Sequence, residues 1–414
     1  MNSEQISTLR GKAEQGDAEA QCHLGWLYDH GQGVPQDYTT ACQWYEQAAD
    51  QGNADAQFNL GALNHVGQSV PHDYVTARQW YEKAAAQGDA RAQSGLGMLY
   101  RLGQGVPQDY GQARQWYEKA AARGIVIAQH VLGTLYCFGQ GVPQDYGQAR
   151  QWFEKAAAQG YANAQYNLGA LYAKGQGVPQ DHGQARQWYE KAAAQGDAGA
   201  QYNLGVLYAK GQGVPEDYAQ AGQWFQKAAA QGDALAQLHL GTLYALGQGV
   251  PQDHGQARQW YEKAAAQGNA DAQHSLGMLY AQGQGMPQDY AKAREWWERA
   301  AAQGNAGAQS CLGLLYADGD GVPQDYAKAR QWYEQAATQG DANAQNSLGM
   351  LYAEGQQGVP RDYVRAYMCW SLAAAHLTGD RQKDAEYNRD IIARRMTPAQ
   401  IAEAKRLTQQ FKGC

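Results

Sequence analysis

No apolar run in the 414 residues approaches the roughly 18 needed to cross a bilayer, so no membrane span is expected. The amino-terminal stretch MNSEQISTLRGK lacks the apolar core of a signal peptide. The expected location is cytoplasmic, or periplasmic or secreted if a leader has been removed. Positive charge is in short supply: 33 Lys and Arg stand against 40 Asp and Glu, net −7, with both signs interspersed. No basic stripe of the kind that grips phosphates results, so no nucleic-acid partner is expected. Cysteine is scarce too, with six residues at Cys22, Cys42, Cys137, Cys311, Cys369 and Cys414, and no CxxC or Cys/His metal spacing. Scattered thiols of this kind fit a reducing compartment. The histidines His23, His30 and His65 come nearest to a ligand set, but a third ligand close to the first two is not evident. The glycine-rich turn GQGVPQD has neither the Lys-Ser/Thr nor the preceding strand of a phosphate loop. No carboxylate pair is peculiar to one place. The expectation is a protein with no catalytic residues, metal or cofactor.

What fills the chain instead is one unit, repeated. A leucine recurs every 36 residues, at Leu24, Leu60, Leu96, Leu132, Leu168, Leu204, Leu240, Leu276, Leu312 and Leu348. A fixed period in this range marks a stacked-repeat architecture. Although 414 residues would ordinarily suggest two or three domains, the repeat predicts one continuous array. The fifth unit, from Ala164, reads AQYNLGALYAKGQGVPQDHGQARQWYEKAAAQGD. Ala164, Leu168, Leu171 and Tyr172 fall at i, i+4, i+7 and i+8, one face of a helix. Asp197, or Asn or another residue at its phase elsewhere, suits a helix N-cap. Gly175 suits the left-handed position after the helix, and Gly177-Val178-Pro179 cannot continue it. Asp181 can cap a second helix whose apolar face is His182 (Tyr in most repeats), Ala185, Trp188, Tyr189, Ala192 and Ala193. Gln187, Glu190 and Lys191 are expected to face water. Gly169 costs roughly 1 kcal/mol against alanine inside a helix, yet every unit has glycine after the anchor leucine. A neighbouring helix is expected to approach there. No single hairpin can bury its own face, so stacking must do it.

The unit AQxxLGxLYxxGxGVPxDYxxAxxWYxxAAxxG resembles the Sel1-like repeat, a relative of the tetratricopeptide repeat, over about Asp17 to Ala375. The tetratricopeptide repeat itself has period 34 and a shorter turn between its helices. The resemblance implies an all-α fold: a right-handed superhelical α-solenoid of ten 36-residue helix-turn-helix repeats with terminal capping helices. It implies that first helices line a concave face and that the protein is a scaffold or adaptor for partner proteins or peptides. Some bacterial relatives regulate envelope, secretion or signalling systems, which is the alternative role. A cysteine-rich branch with paired cysteines in each hairpin includes members that bind or hydrolyse β-lactams. The cysteines here sit at different phases of the repeat, so that activity is not carried over.

Domain boundaries follow from the same period. Residues 1–16 read as a capping half-repeat, since aligning Gly16 with Gly52 places Ala13 on Ala49 and Leu9 on Tyr45. Residues 17–378 hold the ten repeats, and 379–414 two capping helices. One of these runs from about Asp380 to Arg395. The other starts at Thr397 (N-cap) and Pro398, with Ile401, Ala404 and Leu407 docking. Asn64 and Ser69 replace a tyrosine and a glycine in repeat two, which should be less stable. Ile125, Val126 and Ile127 in repeat four are expected to fill a groove between repeats. Repeat ten has one extra turn residue at Gln356-Gln357. There Cys369 takes the tryptophan phase and Trp370 the tyrosine phase, so packing must change.

Comparing the ten units separates fixed from variable positions. Relative to the anchor leucine, −2, −1, +2, +5 and +6 of the first helix vary, and they share the face opposite the fixed one. Candidate partner-binding residues on that face are Trp26, Phe58, Asn59, Arg101, His130, Tyr166, Asn167, Lys174, Tyr202, Asn203, Lys210 and His239. The Tyr-Asn pairs with lysine in repeats five and six form the preferred centre. Tyrosine offers stiff contact area, asparagine can bond a peptide backbone, and lysine attracts acidic side chains.

Overall fold

The computed structural model describes residues 3–67 and 72–412, and the regular structure of those residues is helical, with no strand among them. The chain falls into two compact units, residues 1–200 and 201–414, each a stack of helical hairpins.

Repeat five shows how the residues make a hairpin. Its leading helix spans Ala162–Lys174 and its trailing helix His182–Ala194. Gly175 closes the first with φ 66°, a left-handed geometry that glycine adopts without penalty. Asp181 opens the second in extended conformation, its carboxylate accepting from Gln184 N at 2.9 Å. At the start of leading helices Asp17, Asn53, Asp89 and Asp197 each accept from the backbone N–H three residues on. Ile125 and Tyr161 hold the same phase with no side-chain cap, so those two helices begin without that bond.

The core lies between repeats. Ala149, Phe153, Ala156 and Ala157 of one trailing helix close on Ala164, Leu168 and Leu171 of the next leading helix, and Trp188 packs over them. The same grouping recurs in both units. Gly169 faces Tyr189, and a Cβ there would lie 2.6 Å from the ring, so the ring occupies the space a side chain would need. Lys191 is not simply hydrated: its Nζ sits 4.0 Å above the Trp188 ring, covering the outer face of the indole. Glu190 pairs with Arg186 at 3.5 Å.

One buried feature was not expected. The glutamine at −3 in every leading helix is buried, with Gln165 and Gln201 only 5% exposed. Its amide donates back to the preceding trailing helix, as in Gln57 Nε2 to Ala49 O at 3.1 Å. Its oxygen accepts from a glutamine thirty residues on: Gln87 to Gln57, Gln195 to Gln165, Gln231 to Gln201 and Gln339 to Gln309, each at 2.8 Å. Paired this way, a polar side chain can sit inside the stack at little cost.

At the amino terminus, helix Ser3–Glu14 buries Ala13, and Gln21 Nε2 donates to Ala13 O at 3.0 Å, the bond Gln57 makes to Ala49. At the other end Gly379–Ala393 and Pro398–Lys412 pack on Tyr363–His376. Thr397 and Gln400 cap the last helix reciprocally, and Ala404 is fully buried. In repeat two Asn64 bonds Leu60 O, while Ser69 lies outside the described residues, as does Cys414. Of the repeat-four trio, Ile125 and Val126 pack into neighbouring clusters, but Ile127 is 53% exposed.

Candidate partner-binding face

The variable side of the leading helices carries the candidate residues, and much of it is engaged within the protein. In the first unit His130 Nε2 lies 3.0 Å from Asn167 Nδ2, so the asparagine amide donates and the imidazole accepts across two repeats. Burial holds His130 well below its ordinary value, at about 4, which keeps that acceptor unprotonated at neutral pH. In the second unit Tyr202 Oη lies 3.3 Å from His239 Nε2, and His239 stacks on Phe225 at 5.2 Å between centroids. Burial, and then the Lys210 charge, lower the His239 pKa. Residues −2 and −1 of successive repeats thus contact each other along the stack.

The other candidates divide between the two units. Trp26 stacks on His30 at 4.5 Å. Phe58 lies beneath the Arg91 guanidinium at 4.4 Å, which also bridges Asp55 and Asp89. Asn59 is half-buried and, with Trp26 and Arg91, lines a groove of about 490 Å³. Arg101 is half-buried too, with its Nε unpartnered. Tyr166 packs on Tyr189, and Lys174 is exposed. These belong to the first unit. Asn203, half-buried, and Lys210, exposed, belong to the second with Tyr202 and His239. The preferred centre of the sequence reading therefore draws on both units, Tyr166, Asn167 and Lys174 in one and Tyr202, Asn203 and Lys210 in the other. His65 bonds Gln104 at 3.3 Å, apart from the Trp26–His30 stack. Among the described residues no three His, Cys, Asp or Glu side chains are grouped to hold a metal ion. Cys22, Cys137, Cys311 and Cys369 are free thiols.

The +6 phase, one of the variable positions and the source of the candidates Lys174 and Lys210, also carries a row of exposed apolar residues. Val66, Leu102 and Phe138 occupy that phase in repeats two, three and four and are 50%, 45% and 67% exposed. Exposed Lys174 takes the phase in repeat five. Single exposed apolar residues need no explanation, but a register-matched row of them does. The signal was present: +6 varies, and three successive units place an apolar residue there, as repeat seven does with Leu246, where the others place His, Lys, Gln, Asp or Glu.

Stacked 36-residue hairpins, with one side fixed and buried and the other variable, define an α-solenoid repeat protein. Ten consecutive segments, from 18–53 to 342–376, match the Sel1 repeat, and the chain belongs to the Sel1 repeat family. One similar solved structure is a protective antigen present in uropathogenic Escherichia coli strains, displaying an SLR fold. It is 35% identical, with a TM-score of 0.67, over 98% of this chain and 94% of that one. Another is a Sel1 repeat protein from Oxalobacter formigenes, 38% identical with a TM-score of 0.60, over 76% of this chain and 91% of that one. No match is found among curated proteins. No helix among the described residues is long and apolar enough to cross a membrane.

Proposed function

We propose that this protein is an interaction scaffold that holds a partner protein or peptide on the variable face of its leading helices. Sel1-repeat solenoids are generally protein-interaction scaffolds. The observation that carries the reading is the row Val66, Leu102 and Phe138, ending at Lys174. Such a row suits an extended or helical segment that presents apolar side chains at the spacing of successive repeats, with an acidic group near Lys174. Within the first unit, Tyr166 and Asn167 belong to the same variable side of the leading helices. The thiols, unpaired at Cys22, Cys137, Cys311 and Cys369, support a reducing compartment.

The test is affinity capture from native lysate with the wild type and with Val66→Ser/Leu102→Ser/Phe138→Ser. All three side chains are at least 45% exposed, so melting should barely move. Proteins held by the wild type are expected to be lost from the variant. Identical capture would remove the row from the site.

A further inference from the structure

The last hairpin lacks a tryptophan that every earlier one has and a ladder donor that all earlier ones but the third have. In every earlier repeat the trailing helix supplies a tryptophan, Trp44 through Trp332, and Trp332 packs over the cluster formed by the trailing helix before it and its own leading helix. At that phase in repeat ten stands Cys369, while Trp370 takes the tyrosine phase and sits against Gly349. The second missing part is the ladder donor. Gln345 still donates from Nε2 to Ala337 O at 3.2 Å, but His376, exposed, holds the phase from which a glutamine would return a bond. Gln345 is 2% exposed and its Oε1 has no partner.

Both losses face one space. A cavity of about 710 Å³ opens between helices Tyr326–Thr338, Ala342–Glu354, Tyr363–His376 and Pro398–Lys412. Its walls are mostly apolar, with Leu348, Leu372, Leu407 and Phe411 among them, and Cys369 and Gln345 also line it. Its polar edge is already ordered: Tyr352 donates to Glu334 at 2.7 Å and accepts from Arg365 at 3.2 Å. A largely apolar cavity of this size with few fixed polar groups is the usual form of a small-molecule site.

We propose that this cavity binds a small planar aromatic molecule bearing an N–H donor, of which indole is the simplest. The ring takes the place of the missing tryptophan side chain, against Leu348, Leu372 and Phe411. The N–H donates to Gln345 Oε1 and completes the rung that the repeat leaves open. The two requirements are independent, because the ring answers to Cys369 and the donor to Gln345.

The test titrates full-length protein with indole and with 1-methylindole, which keeps the ring and lacks the donor, followed by ligand-observed NMR or calorimetry. Saturable one-site binding of indole is expected, about tenfold tighter than 1-methylindole, the size of one buried hydrogen bond. Cys369→Trp refills the space and should abolish binding while keeping the helical spectrum. Should that variant fail to fold, Gln345→Met serves instead. It removes the acceptor at nearly constant shape and should reduce the indole preference to near one. Absence of saturable binding to the wild type would overturn the proposal. So would undiminished binding to folded Cys369→Trp, or an indole preference that persists in Gln345→Met.

Discussion

At the scale of single residues, the repeat turns on whether a methyl group has room. Gly169 and Gly11 both lie inside helices, and in isolation alanine would favour either helix by about 1 kcal/mol. Their surroundings differ. A Cβ on Gly169 would meet the Tyr189 ring, itself 3% exposed and held by the stack, whereas one on Gly11 would meet nothing within 4 Å. Gly169→Ala should therefore destabilise by about 1–3 kcal/mol through overpacking, and Gly11→Ala should stabilise by about 0.5–1 kcal/mol. Urea unfolding of the two variants reads the sign directly, and shifts in the same direction would contradict the close approach. Gly169 was legible in the sequence because an unfavourable helix residue kept in every unit demands a packing reason. The fate of Asn167 and Tyr202 was not. Whether they face a ligand or each other's neighbours depends on how far one leading helix stands from the next, and no period in the sequence encodes that distance.

At the scale of the helix, the glutamine ladder ties three successive helices together: trailing, leading and trailing. It breaks at Gln93, whose Oε1 is unpartnered because Arg123 stands where Gln87, Gln159 and Gln195 stand elsewhere. Arg123→Gln should restore the rung and stabilise by about 0.5–1.5 kcal/mol, a gain that should vanish in a Gln93→Met background. Thermal melting of the four proteins of that cycle measures it, and an equal gain in both backgrounds would assign the effect to something other than the rung. Caps, turn glycines and apolar faces could be read from sequence because each is a local rule repeated ten times. The ladder could not, although its glutamine is invariant, because a polar residue beside the apolar stripe reads as solvent-facing until its partner thirty residues away is placed. The cavity at Cys369 lay between these cases. The altered phase was legible, but the space it leaves depends on where Leu407 and Phe411 of the last helix dock.

At the scale of the whole molecule, stability should be a sum over neighbouring hairpins, since each core group draws on one trailing helix and the next leading helix. Deleting residues 90–125, one full repeat of the first unit, tests this with little collateral damage. The cut joins Asp89 to Val126. The helix Val126–Phe138, now begun by uncapped Ile125, thereby inherits a carboxylate at its N-cap position. Trailing helix Tyr74–Ala86 meets a leading helix with the same Ala128, Leu132 and Leu135 face it met before as Ala92, Leu96 and Leu99. The shortened protein should keep its helicity per residue and a cooperative transition, with a urea slope smaller in proportion to the surface lost. Partner capture should respond differently. The deletion removes Leu102 and brings Val66 and Phe138 into adjacent repeats, so a ligand matched to three apolar contacts finds two. A protein that folds and melts cooperatively but releases its partner would separate the stacking side of the repeat from its recognition side. Loss of the transition on this deletion would mean that the hairpins depend on more than their neighbours.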